Sequence, residues 1–155
     1  MTIVIQRVTR AAVTADGKPA GKIGKGLFIL IGVRDGDTEE DARVLAEKIA
    51  KLRIFSDEAG KMNLSLTDVG GGALVVSNFT LNANYAHGNR PDFLLSAKPS
   101  EAERLYRSFL SYLSCRIDTV ESGVFGADMQ IDAEADGPVT IVMESDILLK
   151  KGKKV

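Results

Sequence analysis

One cysteine and one histidine stand in a chain of 155 residues, and that scarcity closes off several chemistries. Cys115 has no partner for an internal disulfide, and its place near the end of a helical pattern reads as a small buried apolar group. His87 and Cys115 together are too few ligands for a Cys/His zinc site, and nothing resembles a calcium loop. Neither a metal nor a cofactor is expected. No apolar run approaches the ~20 residues that a membrane span needs. The start, MTIVIQRV, lacks the charged beginning, long apolar stretch and small-residue cleavage site of a signal peptide. The expected location is therefore the cytoplasm, with no membrane partner. A formal net charge of −1 argues against a general nucleic-acid coat binder. Basic residues cluster locally at Lys150, Lys151, Lys153 and Lys154, which read as a disordered, solubilising tail.

What is present suits one soluble domain: 45% apolar and 26% charged residues. Ile3, Ile5 and Val8 open a first strand, with Arg7 beside it. Residues 11–15 and 20–23 flank Asp16-Gly17-Lys18-Pro19, a hairpin signal. Residues 26–33 (GLFILIGV) form a continuous apolar run, so a central strand. Asp37 with Glu40 three residues on predicts a capped helix start. Ala42, Leu45, Ala46, Ile49 and Leu52 make that helix's apolar face. A second hairpin is expected around Asp57-Glu58-Ala59-Gly60, and a strand over 73–81. Residues 82–98 show no period and read as a long loop, often a functional feature in a compact domain. Ser100 with Glu103 predicts a second capped helix, faced by Ala102, Leu105, Tyr106, Phe109 and Leu113. Strands near 116–121, 127–133 and 139–143 complete an α+β domain. One domain over 1–145 and a basic tail over 146–155 are expected.

Three segments carry candidate chemistry. VVSNFTL at 75–81 sets Ser77 and Thr80 at a strand end before the long loop. A serine nucleophile needs an adjacent base, and His87 is the only imidazole, so a Ser77–His87 pair is one reading; a hydrogen-bonding turn serine is the other. In a regular strand Ser77 and Phe79 share one face, and Asn78 and Thr80 the other. Serving one pocket from both requires a bend or bulge. Phe125 and Met129 read as core in strand-like sequence. In EADGPVTI, residues 134–141, Gly137-Pro138 stands directly before an apolar strand. Proline brings no ladder N–H. Asp136-Gly137 is good turn chemistry, so the pair is either a tight turn entering the strand or a backbone tool in its own right.

Several segments together resemble the D-aminoacyl-tRNA deacylases: IQRV at 5–8, LRIFSDEAGKMNLSL at 52–66, VVSNFTL at 75–81, GNRPDF at 88–93, FGADMQ at 125–130 and DGPVT at 136–140. The family's motif that begins serine-glutamine and ends in threonine is matched by Ser77, Phe79 and Thr80, with Asn78 where glutamine is usual. Its asparagine-x-glycine-proline-x-threonine motif is matched by Gly137, Pro138 and Thr140, with Ala135 in place of asparagine. The resemblance implies a strongly bent, mostly antiparallel, half-barrel-like sheet with two main helices, in a homodimer with sites at the subunit interface. It implies hydrolysis of the ester between a D-amino acid and the 3′-terminal ribose of tRNA, with glycyl-tRNA as a liability. It further implies a cis Gly137-Pro138 peptide that reaches into the partner's pocket and rejects L side chains. Ser77, Phe79 and Thr80 would form the catalytic, backbone-oxyanion region. Arg7, Asn78, Phe125, Met129 and Thr140 would contact substrate, Phe125 and Met129 at the terminal adenine of the acceptor end. Alternatives on the same residues are a deacylase for a mischarged L-aminoacyl-tRNA, a catalytically weak RNA-binding homologue, and a small-ester hydrolase using Ser77 and His87.

Overall fold

The computed structural model describes residues 1–150. Its spine is β1 (Thr2–Ala15), antiparallel to three other strands. Along one edge β1 pairs first with β3 (Gly26–Gly32) and then with β2 (Lys18–Ile23). Along the other edge β8 (Met129–Glu144) follows it for almost its whole length. The β1–β2 connection is Asp16-Gly17, with φ of 49° and 77°, the positive pair that a type I′ hairpin turn requires.

Beyond β3 the sheet becomes parallel. β3 pairs with β6 (Gly72–Ser77), and β6 with β7 (Val120–Ser122). Parallel neighbours need crossover connections. The first carries α1 (Glu39–Ala50) and the small hairpin β4 (Phe55–Ser56) and β5 (Met62–Leu64); the second carries α2 (Pro99–Ser114). The sheet curls until β2 meets β7, giving a nearly closed barrel. The approach is so close at Gly21 that a Cβ there would lie 2.9 Å from the Ser122 carbonyl oxygen.

Two apolar cores follow from this curl. Ile3, Ile5, Ile29 and Ile31 pack beneath Leu45 and Ile49 of α1 and Leu105 and Phe109 of α2. Val8, Ala11, Val13, Phe28, Leu74 and Val76 fill the barrel. β1 therefore changes which parity faces the helices between Ile5 and Ala11. The pairing with β8 breaks at the same place: Gln6 stands opposite Thr140, but Val8 stands opposite Ala135. Residues 136–139 thus bulge out opposite Arg7 alone.

That bulge resolves the question posed by Gly137-Pro138. The pair is not a turn between two strands; it lies inside one continuous strand, at the point where the ladder is interrupted and no proline N–H is required. Other expectations shift by small amounts. Thr38, not Asp37, caps α1, and the Asp41 carboxylate accepts from its N–H and hydroxyl at 2.8 and 2.7 Å. Asp37 instead accepts from the Met1 ammonium and the Arg34 N–H, both at 2.6 Å. α2 starts at Pro99 behind Lys98, so Ser100 lies inside the helix and caps nothing; proline's fixed φ suits the first helical position. β6 stops at Ser77 rather than running to Leu81. Cys115 is exposed, because it closes the outer side of the last turn of α2. Residues 145–148 form a short helix, α3 (Ser145–Leu148); Lys151, Lys153 and Lys154 lie outside the described residues.

Candidate functional site

A cavity of about 440 Å³ opens at the C-terminal ends of the parallel strands β3 and β6. Ile31 and Val33 line it from β3 and its exit, Ser77, Asn78 and Phe79 from the end of β6, and Ala102 and Tyr106 from α2. Phe125, Ala127 and Met129 contribute from the β7–β8 connection and the start of β8. Phe125 is in a turn, not in a strand, and its ring lies 5.9 Å from that of Tyr106. The buried Tyr106 hydroxyl donates to the Val75 carbonyl at 2.9 Å, and burial pushes the phenol up to about 12. Of the lining residues only Tyr106 has a titratable side chain, and it is neutral at any ordinary pH.

The end of β6 shapes the mouth of this cavity. The Asn78 N–H still donates to Ile31 in the neighbouring strand at 2.8 Å. The chain then coils into a 3-10 turn over Phe79–Asn82. The first N–H groups of a helical turn have no partner within it, so those of Phe79 and Thr80 are available to a ligand. The Ser96 hydroxyl donates to the Phe79 carbonyl at 3.2 Å. In a trans peptide the N–H points opposite to the carbonyl, so this bond fixes the direction of the Thr80 N–H. Asn82 braces the assembly, donating to the Val33 carbonyl at 2.9 Å and to Ser96 Oγ at 3.3 Å. The ring of Phe79 meets Phe93 edge-on at 5.1 Å.

The 3-10 turn also separates Ser77 from Thr80. Ser77, Asn78 and Phe79 line the cavity; the Thr80 side chain does not, and its hydroxyl donates to Asn78 Oδ1. His87 is exposed on the long loop and is not among the lining residues. Among the described residues no group of three His, Cys, Asp or Glu is placed to hold a metal, and no helix is long and apolar enough to cross a membrane.

Four predicted site residues form a second group. Gly137-Pro138 is a cis peptide, and both residues are exposed. Arg7, only 8% exposed, anchors the bulge. Its Nη1 donates to the Ile54 carbonyl at 2.6 Å, and its Nε pairs with Asp136 Oδ2 at 3.0 Å and donates to the Asp136 carbonyl at 3.3 Å. Gly137 has φ of 125°, and a Cβ there would stand 2.9 Å from Val139 N and 3.3 Å from Arg7 Nη2. The exposed Thr140 accepts from Gln6 Nε2 at 3.5 Å. None of Arg7, Gly137, Pro138 and Thr140 lines the cavity. Arg7 pairs with Leu27, and Ser77 pairs with Ile31. Those positions on β3 are about 13 Å apart at the usual strand rise.

Residues 4–144 match the family model described as D-Tyr-tRNA(Tyr) deacylase. The chain belongs to this family. Within it, a D-aminoacyl-tRNA deacylase from Cereibacter sphaeroides is 55% identical over 94% of this chain and 100% of its own length. One from Akkermansia muciniphila is 54% identical over 94% of this chain and 97% of its own. A solved structure titled c-Myc DNA Unwinding Element Binding Protein superposes with a TM-score of 0.87 at 42% identity, covering 93% of this chain and 98% of that one. A probable eukaryotic D-amino acid tRNA deacylase shares the fold, with a TM-score of 0.80 at 18% identity over 93% of this chain and 100% of its own.

Sequence reasoning named Ser77, Asn78, Phe79, Phe125 and Met129 for this deacylase-family cavity. It missed Ala102, Tyr106, Ser96 and Asn82. Tyr106 and Ala102 sit on the apolar face of α2 and read as core. The usable signal was the tyrosine itself, whose polar tip must find a partner when its ring is buried.

Proposed function

We propose that this chain hydrolyses the ester joining a D-amino acid to the 3′-terminal ribose of tRNA, acting in the cytoplasm as a homodimer. The observation that carries this reading is the split between a cavity with no chirality-reading wall and an exposed Gly137-Pro138 wall with no cavity. A second copy brings the two together: the wall of one chain enters the cavity of the other. β8 supports such an arrangement. Among the described residues it pairs only with β1, and it exposes Val142 at 63% and Ile131 at 42%, a surface that a lone monomer would have to protect.

In this dimer the terminal adenine packs among Phe79, Phe125 and Met129, as unstacked RNA bases do on aromatic and apolar side chains. Arg7, Asn78 and Thr140 give polar contacts around the substrate. The N–H groups of Phe79 and Thr80 stabilise the oxyanion as water adds to the ester carbonyl. The carbon–oxygen bond to the ribose then breaks, the 3′-oxygen takes up a proton, and the D-amino acid and tRNA are released. An activated ester needs no charged general base in the cavity; the ribose 2′-hydroxyl next to the leaving oxygen can assist. D and L amino acids differ in which substituent points toward a nearby wall. Without a Cβ, Gly137 lets the backbone come close enough to clash with an L side chain. Glycine has no side chain to reject, so glycyl-tRNA is hydrolysed too.

Paired assays on D- and L-tyrosyl-tRNA test the proposal. Rapid release of D-tyrosine with little release of L-tyrosine is the predicted result. Equal rates, or a preference for the L ester, would overturn it.

A further inference from the structure

The Arg7 anchor leads to a second feature of the surface. After α1 the chain runs through Lys51, Leu52 and Arg53 to Ile54, whose carbonyl receives Arg7 Nη1. Beside this segment lies an open groove of about 420 Å³, lined by Lys48, Lys51 and Arg53 together with Val44, Leu52 and Leu148. Its one acid, Glu47, is already engaged by Arg43 at 2.9 Å and Arg116 at 2.8 Å. Lys48, Lys51 and Arg53 make no ion pair among the described residues. Arg53 is held in place by its Nε, which donates to the Asn63 carbonyl at 2.8 Å. Lys48 and Lys51 are three residues apart and project from the same side of the helix end.

Three cations within six residues, of which only Arg53 feels a nearby carboxylate, that of Asp68, are notable in a chain whose net charge is −1. The molecule as a whole does not attract a polyanion, so any such attraction must be local. Arg53 adjoins Ile54, Ile54 holds Arg7, and Arg7 holds Asp136 beside Gly137. A relay of contacts thus connects the Arg53 end of the groove to the Gly137-Pro138 wall.

We propose that this groove binds the phosphate backbone of the tRNA acceptor stem whose terminal adenosine sits in the partner's cavity. The inference rests on the proposed function, in which the wall enters that cavity; the stem must then leave it past the surface surrounding the wall. Each lysine or arginine on a phosphate releases counterions, which makes affinity salt-dependent. A competing explanation is that the lysines only complement the negative C-terminal end of α1. That role would alter thermal stability and leave RNA affinity untouched.

The test measures Kd for an uncharged acceptor-stem hairpin ending in CCA and for the trinucleotide CCA, across roughly 50–200 mM salt. It compares wild type with the triple variant Lys48→Ala/Lys51→Ala/Arg53→Ala and with a charge-retaining variant, Lys48→Arg/Lys51→Arg/Arg53→Lys. The triple alanine variant should lose about tenfold of the preference for hairpin over trinucleotide at the lower salt, and its log–log salt slope should flatten by about two to three. The charge-retaining variant should keep both. An unchanged hairpin affinity and slope in the alanine variant would overturn the proposal, as would an equal loss on the trinucleotide. Binding is read without turnover, so failure of the D-aminoacyl ester assay would count against the proposed function alone.

Discussion

The cavity and the Gly137-Pro138 bulge are built on opposite plans. The cavity is framed by side chains from both crossovers and the ends of two parallel strands, and its one titratable group is a neutral phenol. The bulge is bare backbone on the outside of the sheet, fixed in place by a single buried guanidinium. In the proposed function the first holds a base and an ester but has nothing that reads handedness. The second presents a rigid contour but has nothing to hold a substrate. In the proposed dimer the cavity binds the substrate while the wall completes the site and reads handedness, so substitutions in the two regions should have different signatures.

The largest effect should come from Gly137→Ala. Its Cβ would press on Val139 and Arg7 at a φ of 125°, conditions that cost roughly 1–3 kcal/mol of strain. Displacement of the wall by about 1 Å should lower kcat/KM on D-tyrosyl-tRNA about a hundredfold. A folded variant with the wild-type rate would detach the wall from the reaction. Arg7→Met should come next. It leaves the Ile54 carbonyl without its donor, at a cost of about 1–3 kcal/mol measured by denaturant titration, and should lower kcat/KM about tenfold by freeing the bulge. Arg7→Lys should not rescue it, since an ammonium cannot reproduce the fork to Ile54 and Asp136.

On the cavity side the effects should be smaller. Asn78→Ala removes the acceptor of the Thr80 hydroxyl and should reduce kcat about fivefold, the equivalent of one ordinary hydrogen bond. Asn78→Gln should recover most of that loss in the same assay. Ser77→Ala and His87→Ala should each stay within about threefold of wild type, far below the ~100-fold or greater contribution of a true general base. The pH profile gives a matching check. Tyr106 ionises only near 12, so no lining group of the enzyme titrates between about pH 6 and 9. Because its pKa is raised on folding, the stability that Tyr106 contributes is complete below about pH 10 and is lost as pH rises through 12. An inflection between pH 5 and 8 that vanishes in His87→Ala would contradict this and restore an imidazole mechanism.

How much of this was legible in the sequence depends on how local each cause is. The Asp16-Gly17 hairpin, the apolar face of α1 and the long loop before α2 follow from residues close together in the chain, and they appear where periodicity and turn chemistry predict. The bulge was visible only as a contradiction, a proline in a strand. Its resolution depends on β1, where Arg7 stands alone against residues 136–139, and no single segment encodes that register. The cavity's α2 wall was hidden for another reason: Ala102 and Tyr106 obey the same helical period whether they face a packed core or an empty space. The end of β6 at Ser77 was likewise invisible, since VVSNFTL alternates well enough to continue as a strand. The stop coincides with contacts to Ser96, which from the far side of a loop bonds the Phe79 carbonyl and the Asn82 amide of the 3-10 turn.

The proposed dimer requires that each site combine the cavity of one chain with the wall of another. It is tested most directly by mixing two inactive proteins. Gly137→Ala spoils the wall and leaves the cavity; Ala102→Phe fills the cavity and leaves the wall. After unfolding and refolding together in equal amounts, half of the dimers should be mixed, each with one of its two sites intact. D-tyrosyl-tRNA deacylation should therefore return to about a quarter of the wild-type rate, while each variant refolded alone remains inactive. A mixture that stays as inactive as its parts, although mixed dimers form, would contradict the account, and so would a wild-type monomer with full activity.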